Sequence, residues 1–480
     1  MKKTLIFYSL LFMFFLFLQR SAGFLTKIVM ANSITPYEYG IVTLVAITLP
    51  AMLQIVTNLN FNELLSHSQE GKKYFGFTLY FSTILVFLLS LLFVIFNEEI
   101  FSYLNLPLNI SGVYLTAIII TMLCTSISID FQGFFTGAKQ YSMPGIVVAI
   151  PSLARLIMVA FLMWLGITSV SIYILIFALS NLIPIIFIAI SGQYRKPWEF
   201  SKTINVPSRK MFAFGMAVFI ASNFSQIGQY LIRFVVSHEL GVEWQGYYDV
   251  SQTLSMIMVF AVGTMIFITV PEATNSDKES IYKEGNLADV IRALFAFLVY
   301  LALILIFYAN FFVVTIFSEN YSISADYVPI LAIGYLFFFI QTFLTHVNLS
   351  LAKRGKQYIS LTITPICLVP FFFILTNFLI EFYKNRGYGN GFIGAYVSYT
   401  TILIIVTIIT ICLSPDLRPL KYLFKKIDRL ILSFLVPSLL VLYAQPTPII
   451  GILFFTLTCP ILIFLTDYID KKIILNILDR

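Results

Sequence analysis

Residues 76–96 read GFTLYFSTILVFLLSLLFVIF, a run of 21 residues that contains no charged side chain. A transmembrane α-helix needs about 20 consecutive apolar residues to cross the hydrocarbon core of a bilayer. Runs of this kind recur along the whole chain. Barrel strands would instead show alternating segments of about 10 residues. The pattern therefore predicts an all-α membrane protein.

The composition excludes a soluble globular protein. Hydrophobic residues make up 59% of the 480, charged residues only 11%, and the mean hydropathy is +0.92. A soluble domain carries roughly 25% charged residues. Because this chain could not cover itself with a polar surface, lipid must be its main solvent.

Fourteen apolar segments are long enough to be transmembrane helices, and proline, glycine or charged residues separate them. The first segment follows Lys2-Lys3, as in a secretory signal peptide, but it continues beyond Gln19-Arg20, which favours an uncleaved first helix. The predicted spans are 5–30, 40–62, 76–96, 113–133, 144–166, 170–191, 211–236, 248–270, 291–316, 328–350, 359–380, 392–412, 430–445 and 449–466.

The basic residues predict the orientation of these helices. With the N-terminus inside, the inner loops and tails hold 24 of the 30 lysines and arginines, and the outer loops hold only Lys384 and Arg386. Such a bias marks the cytoplasmic side of a membrane protein. We therefore predict a multi-pass protein of the cytoplasmic (plasma) membrane with both termini in the cytoplasm. The net charge of +7 then needs no nucleic acid partner to explain it.

Two short motifs recur six predicted helices later. Residues 137–141 read GAKQY and residues 354–358 read RGKQY, while Glu38-Tyr39-Gly40 returns as Glu243-Trp244-Gln245-Gly246. Six helices is an even number, so the two halves would be parallel repeats about the membrane normal. The predicted organisation is a six-helix bundle 1–195, a cytoplasmic linker 196–210, a second six-helix bundle 211–415, and helices 13 and 14 with a cytoplasmic tail in 416–480.

Five ionisable residues lie clearly inside the predicted spans, away from the first residues of a span: Arg20, Lys27, Asp130, Arg155 and Arg233. Each costs at least about 2.5–3.5 kcal/mol at the centre of a bilayer, so such residues are usually functional. Four are cations and one is an anion. A water-filled cavity lined by them would attract anions, and the planar fork of arginine matches phosphate oxygens.

Uncharged polar residues form helical stripes beside these cations. Their spacing of three, four or seven residues places each set on one face of a helix. The stripes comprise Gln54 and Asn58; Asn223, Gln226 and Tyr230; Asp249 and Gln252; and Gln341, Thr345 and Asn348.

Structural roles remain open for most of these groups. Arg233 and Lys27 lie near helix ends and could extend to the outer interface. Asp130 and Arg155 lie on adjacent helices and could pair with each other. The polar stripes could be interhelical hydrogen bonds without a cavity. Arg20, in the middle of its span, is the hardest to explain structurally.

No metal or cofactor site is predicted. The four cysteines lie in apolar runs without metal-ligand spacing and are interpreted as small core residues. The three histidines are isolated from one another and are assigned no chemistry.

The motifs resemble the polysaccharide biosynthesis (O-antigen flippase-like) branch of the multidrug/oligosaccharidyl-lipid/polysaccharide exporter superfamily. Residues 36–40, PYEYG, are similar to the turn after its first helix. Arg233, Leu240-Gly241 and Gly246-Tyr247-Tyr248 are similar to its seventh helix and the turn that follows. That helix often carries an acidic residue before the arginine, and here the position is Ile232, which weakens an inference of cation coupling there.

Arg20-x-x-Gly23-Phe24-x-x-Lys27 also resembles the first helix of the lipid II flippases, in which the basic residues are thought to contact pyrophosphate. The resemblance implies a V-shaped, MATE-like pair of bundles that alternates between inward-open and outward-open states. It implies as substrate a polyprenyl-linked oligosaccharide, with undecaprenol or dolichol as the carrier.

From the residues and the resemblance together we expect a flippase with a cationic binding site. Its lipid tail would stay in the bilayer among membrane lipids, and polysaccharide polymerases or glycosyltransferases would be its protein partners. Asp130 is a candidate for ion coupling. The expected substrate-binding residues are Arg20, Lys27, Arg155, Arg233, Gln54, Asn58, Asn223, Gln226, Asp249, Gln252, Gln341 and Asn348.

Two other functions are less favoured. An ion-coupled multidrug or metabolite antiporter of the same superfamily would need acidic residues deep in the bundle, and Asp130 lies near an inner end. A membrane glycosyltransferase or polymerase would need large outer loops, and the longest predicted one has about 16 residues, Asn97 to Gly112. We therefore predict that the protein is not an enzyme.

Overall fold

The computed structural model of the chain is helical throughout the part that it describes. Side chains are not described for residues 2–10, 286–290, 346–351 and 355–369, nor at isolated positions such as Asn58. The structure describes residues 2–58, 65, 71–138, 140, 142–202, 204–208, 227–259, 286–351, 355–414, 417–466 and 468.

The first half of the chain contains a π-helical turn, Leu44–Thr48, which follows directly on the helix Pro36–Thr43. Short 3₁₀ segments, Gly71–Tyr74 and Leu108–Ile110, precede two of the long helices. The α-helices are α1 (Lys2–Ala31), α2 (Pro36–Thr43), α3 (Leu49–Asn58), α4 (Phe75–Ile95), α5 (Asn97–Tyr103), α6 (Ser111–Gly137), α7 (Ser142–Trp164), α8 (Val170–Ser180), α9 (Ile183–Ile190), α10 (Arg195–Ser201), α11 (227–240) and α12 (Val242–Ser255).

The second half continues in the same way, and its described residues include a 3₁₀ segment, Glu319–Tyr327. Its helices are α13 (Asn286–Phe317), α14 (Val328–Leu351), α15 (Gly355–Asn385), α16 (Ile393–Leu413), α17 (Arg418–Leu423), α18 (Ile427–Ala444) and α19 (Pro448–Leu465).

The chain folds into two compact units. One comprises Met1–Asp249 with Leu368–Asn377, and the other comprises Val250–Cys367 with Phe378–Arg480. The predicted organisation around the linker 196–210 stays a prediction.

The first unit is organised around α6, which contacts α3, α4, α7 and α8. The first helix, α1, packs lengthwise on α7, where a Cβ on Gly145 would strike the ring of Phe15. Lipid supplies no hydrophobic force between membrane helices, so their association depends on close packing. A small residue such as Gly145 allows the two helices to approach closely enough for such packing.

The second unit pairs α14 with α16. The hydroxyls of Thr400 and Thr407 donate across this contact to the carbonyl oxygens of Ile330 (2.9 Å) and Phe337 (3.0 Å). Near its end, α18 and α19 form a hairpin in which the Ser433 and Thr466 hydroxyls lie 3.0 Å apart.

Within the described residues, eleven helical segments are long and apolar enough to cross a membrane. They correspond to eleven of the fourteen predicted spans. The predicted spans 211–236 and 248–270 extend into residues outside the described part, and 359–380 lies within α15. The all-α multi-pass architecture is confirmed, and the count of fourteen stays a prediction.

Candidate functional site

The turn after the first helix is held by a capping box. The Thr35 hydroxyl accepts a hydrogen bond from the Glu38 backbone N–H (3.3 Å), and the Glu38 carboxylate accepts one from the Thr35 N–H (2.9 Å). Pro36 occupies the first helical position, where a missing N–H costs nothing. The sequence SITPYEYG therefore starts α2 sharply and holds Tyr39 on its first turn.

This turn packs against the corresponding turn between α11 and α12. A Cβ on Gly40 would strike the carbonyl oxygen of Val242, and a Cβ on Gly246 would strike that of Pro36. Gly246 lies 206 residues after Gly40, and Val242 lies 206 residues after Pro36. The contact is therefore reciprocal, as in an isologous interface about a two-fold axis, and only glycine allows it.

Below these turns lies a buried cluster of charges centred on Asp249, which is 0% exposed. Its Oδ2 accepts a hydrogen bond from the Tyr39 hydroxyl (2.8 Å) and lies 2.9 Å from Lys27 Nζ. Its Oδ1 accepts from Lys27 Nζ (3.0 Å) and from Arg233 Nη2. Donors from three separate segments of the chain thus surround one carboxylate.

The π-helical turn contributes to the same cluster. Its last residue, Thr48, accepts a hydrogen bond from Arg233 Nη1 (2.9 Å) and donates one to the Thr43 carbonyl (3.0 Å). Insertions of this type are frequent at functional sites because they redirect side chains. Arg233 is only 4% exposed, so it does not extend to the interface.

Residues at the end of α5 and just after it contact the C-terminal end of α11. The Asn105 side-chain amide donates to the carbonyl oxygens of Ser237 and His238, both at 2.8 Å. The imidazole of His238 stacks on the ring of Tyr103 with centroids 3.9 Å apart. These contacts satisfy carbonyls that a helix end leaves without intrahelical partners, and they fix the helix that carries Arg233.

Lys27 and Arg233 occupy equivalent positions of the predicted repeat. They are 206 residues apart, the same offset that relates Gly40 to Gly246. Two cations from related helices therefore meet at one anion, which leaves the cluster with a net positive charge. A buried ion pair is stable only when further hydrogen bonds satisfy it, and here Tyr39 and Thr48 supply them.

Asp130 and Arg155 do not pair with each other. The Arg155 guanidinium donates to the Ser180 hydroxyl (3.3 Å) and the Asn181 side-chain oxygen (3.4 Å), and it lies 4.3 Å from the centre of the Phe177 ring. The Oδ2 of Asp130 instead lies within hydrogen-bond distance of the Ser82 hydroxyl (2.7 Å). The interpretation of these two residues as a simple ion pair is therefore wrong.

The remaining predicted site residues are dispersed. Arg20 is an exposed residue of α1, two helical turns before Lys27, and Gln54 is half-buried on α3. Gln252 and Gln341 are buried in the second unit, where the Gln341 amide donates to Thr345 (3.2 Å) within α14. Asn223 and Gln226 lie outside the described residues, and so do the side chains of Asn58 and Asn348.

Sequence reasoning did not identify Tyr39 and Thr48 as members of the site. Tyr39 belonged to the recognised turn motif, but nothing in the sequence shows that its hydroxyl reaches Asp249. The equivalence of Lys27 and Arg233 was detectable, since the repeat offset of 206 residues, applied to Lys27, leads directly to Arg233.

Solved structures with a similar fold are membrane transporters. The lipid II flippase MurJ in an inward closed conformation has 17% identity and a TM-score of 0.65, with 96% of this chain and 100% of that chain covered. An inward-facing multidrug resistance MATE family transporter of the MOP superfamily has 12% identity and a TM-score of 0.60, covering 84% and 95%. A MOP superfamily transporter from Pyrococcus furiosus has 15% identity and a TM-score of 0.54, covering 86% and 94%.

The fold thus defines an all-α, multi-pass membrane protein with the architecture of the MurJ and MATE proteins. The profile of a family described as "Polysaccharide biosynthesis protein" matches residues 9–271, more than half of the chain. This chain therefore belongs to the polysaccharide biosynthesis protein family. No curated protein sequence matches it.

Proposed function

We propose that this protein is a flippase that moves a polyprenyl-(pyro)phosphate-linked oligosaccharide across the cytoplasmic membrane by alternating access, for synthesis of a surface polysaccharide or glycoconjugate. The observation that carries the proposal is the convergence of Lys27 and Arg233, from equivalent repeat positions, on one buried anion. Membership of the polysaccharide biosynthesis family and the likeness to a lipid II flippase support the same class of substrate.

A phosphate or pyrophosphate head fits the chemistry of this cluster. Arginine offers a planar fork of donors to phosphate oxygens, and lysine adds a compact charge. Pyrophosphate carries negative charge on both of its phosphates, so two cations related by an approximate two-fold axis suit it. The sugar chain would contact the neutral polar residues, and the polyprenyl tail would remain in lipid.

The carboxylate of Asp249 occupies the place that such a head would take. With Asp249 present, the positive charges of Lys27 and Arg233 are partly neutralised, and the turns that carry Tyr39 and Gly246 are held together. An entering phosphate would compete with Asp249 for the same donors. Substrate binding would thereby weaken the contact between the turns and favour the opposite state of the transporter.

Arg20 and Arg155 are proposed to guide the head toward this cluster. Arg20 is exposed and shares a face of α1 with Lys27. Arg155 is half-buried and hydrogen-bonded to neutral groups, Ser180 and Asn181. The Arg155 guanidinium would therefore exchange neutral contacts for a phosphate, at less cost than breaking an ion pair with a carboxylate.

The test is transbilayer movement of a lipid-linked oligosaccharide in proteoliposomes. Lys27→Met and Arg233→Leu should each reduce flipping at least about tenfold, since truncating one member of a buried charged contact costs about 2–5 kcal/mol. Arg20→Ala should abolish flipping while the protein stays in the membrane. Arg386→Ala, which removes an exposed cation beside Phe382, is the matched control and should flip normally.

Normal flipping by both Lys27→Met and Arg233→Leu would overturn the site, and absence of flipping by the wild-type protein would overturn the function. The main rival is an ion-coupled multidrug or metabolite antiporter, and two of the structures of similar fold are multidrug resistance MATE family transporters. The net positive charge of the Asp249 cluster disfavours cationic drugs. Protection of cells from such drugs by the expressed protein would favour the rival.

A further inference from the structure

A second buried carboxyl group lies in the first unit, apart from the Asp249 cluster. Asp130, on α6, is 0% exposed and faces α4, where the Ser82 hydroxyl lies 2.7 Å from its Oδ2. Its Oδ1 is also buried and has no hydrogen-bond partner among the described residues. Within that part of the chain, no lysine, arginine or histidine forms an ion pair with it.

This environment does not suit an ionised carboxylate. An isolated charge in an apolar interior costs so much that the group normally takes its neutral form instead. Asp249, by contrast, has two cations and a tyrosine hydroxyl around it. The two buried aspartates of the first unit therefore differ in kind, one being an ionised partner of cations and the other a carboxyl group among neutral residues.

The hydrogen positions around Ser82 favour the protonated form of Asp130. The Ser82 hydroxyl carries one proton but lies near two acceptors, the Asp130 Oδ2 (2.7 Å) and the Leu79 carbonyl (3.2 Å). If Asp130 is protonated, its hydroxyl donates to Ser82, and Ser82 donates to Leu79. Both protons are then used. The ionised form would leave Oδ1 charged and without a hydrogen bond, because the neighbouring Thr78 hydroxyl donates to the Phe75 carbonyl (3.0 Å).

Other titratable groups on the segments that contact α6 do not form an ion pair with this carboxyl group in the described structure. Arg155 of α7 is engaged by Ser180, Asn181 and the Phe177 ring. The helix α3, the π-helical turn and α9 carry no titratable side chain. The remaining described titratable groups are Tyr80 on α4; Glu98, Glu99 and Tyr103 on α5; Tyr173 on α8; Lys73 and Tyr74 in the 3₁₀ segment; and Tyr114 and Cys124 on α6 itself. The side chain of Lys72 lies outside the described residues.

An aromatic cluster closes the site on its predicted cytoplasmic side. Phe134 lies one turn beyond Asp130 on α6, and its ring packs edge-to-face on Phe75 of α4 (centroids 5.3 Å apart). Leu65 and Phe135 complete a fully buried group, against which Phe131, Leu79 and Met143 also pack. A proton that leaves Asp130 toward this side would have to pass this cluster.

We propose that Asp130 is the proton-binding site of this transporter, protonated and occluded in the conformation described, and that its proton is the coupling ion of the cycle. On opening of the aromatic cluster, the proton passes from Asp130 Oδ2 to water, and Ser82 then donates to the resulting carboxylate. Proton binding follows from the geometry of α4 and α6 alone, whereas the coupling rests on the proposed function.

Infrared difference spectroscopy on the full-length protein in lipid nanodiscs tests proton binding without any substrate. The wild-type protein should show the carbonyl stretch of a buried protonated carboxylic acid that disappears at high pH. Asp130→Asn should lack this band, and Asp326→Asn, which changes an exposed acid, should retain it. Ser82→Ala keeps the carboxyl group but removes its hydrogen-bond partner, so its band should shift to higher frequency.

Proteoliposomes with an imposed pH gradient test the coupling. Flipping by the wild-type protein should change several-fold with the gradient, and flipping by Asp130→Asn should not respond to it. Persistence of the infrared band in Asp130→Asn, an unchanged gradient response in that variant, or a response to sodium instead of protons would each overturn the proposal. If the wild-type protein moves no lipid-linked sugar, the proposed function fails, and the infrared result alone decides whether Asp130 binds a proton.

Discussion

At the scale of single residues, the charge on Asp249 holds the candidate site together. Its carboxylate is fully buried and is the shared acceptor for Lys27, Arg233 and Tyr39. Without it, two cations would face each other in a low-dielectric interior, where repulsion and desolvation act in the same direction. The stability of this part of the fold should therefore depend more on Asp249 than on either cation.

Replacing Asp249 with asparagine should be strongly destabilising. Removal of one partner from a buried ion pair costs about 3–5 kcal/mol because the other charge is left uncompensated, and here two charges remain. We expect a clear fall in the thermal unfolding temperature of the detergent-purified protein. Asp326→Asn should leave this temperature unchanged, and an equal fall in both variants would contradict the assignment.

A smaller effect is expected for Tyr39→Phe, which removes only the hydroxyl that donates to Asp249. A hydrogen bond to a charged group contributes about 1.5–3 kcal/mol. Tyr37→Phe is the matched control, because this residue lies on the same turn but is 44% exposed. Thermal unfolding should therefore separate the two variants, and identical curves would show that the hydroxyl of Tyr39 contributes nothing to the site.

At the scale of elements, the two equivalent turns determine which side chains meet. The capping box at Thr35 starts α2, and the reciprocal glycine contacts bring the backbone of this turn onto the turn before α12. Tyr39 and Asp249, which lie on α2 and α12, are brought into contact as a result. The π-helical turn then directs Thr48 toward Arg233.

Alanine at Gly40 or at Gly246 should force the two turns apart. Each added methyl group would strike a backbone carbonyl oxygen of the other turn, which cannot move aside as a flexible side chain can. Gly23→Ala is the control, since a Cβ there meets nothing within 4 Å and alanine favours a helix over glycine by about 1 kcal/mol.

We expect lower thermal stability and altered flipping in Gly40→Ala and Gly246→Ala, with Gly23→Ala at least as stable as the wild-type protein. Because the contact is reciprocal, the two turn variants should behave alike. A large loss in one and none in the other would show that the turns are not equivalent.

At the scale of the whole molecule, the distribution of basic residues predicts the topology. Lys384 and Arg386 are the basic residues of the predicted outer loops, and the segment 196–210 is predicted to lie in the cytoplasm. Tyr388→Cys and Lys202→Cys introduce thiols at two exposed positions that should lie on opposite sides of the membrane.

In a background without the native cysteines, a membrane-impermeant maleimide added to intact cells should label Tyr388→Cys and leave Lys202→Cys unlabelled until the membrane is permeabilised. The reverse result would invert the proposed orientation, and labelling of both in intact cells would require an even number of helices between them. Either outcome would also change the side from which the lipid-linked sugar enters.

Much of the architecture was predictable because hydropathy is a local property. A run of about 20 apolar residues must form a helix in lipid, since no water is present to satisfy its backbone. Eleven predicted spans accordingly match helices of the structure. It was also predictable that Lys27, Arg233 and Asp249 face a polar interior, because charged residues at bilayer depth seldom face lipid.

The partners of these residues were not predictable. Asp130 and Arg155 lie on adjacent helices, yet they bind Ser82 and Ser180 instead of each other. Interhelical pairing depends on the rotation of each helix about its axis, and the packing of neighbouring helices sets that rotation.

The sequence by itself thus determined that this chain is a bundle of membrane-spanning helices with an excess of cations at bilayer depth, because both properties follow from short stretches of residues. Only the tertiary structure decided that Lys27 and Arg233 share one carboxylate and that Asp130 lies among neutral groups. Lys27 and Asp249 are 222 residues apart, and it is the contact of two glycine-containing turns that brings them within hydrogen-bond distance.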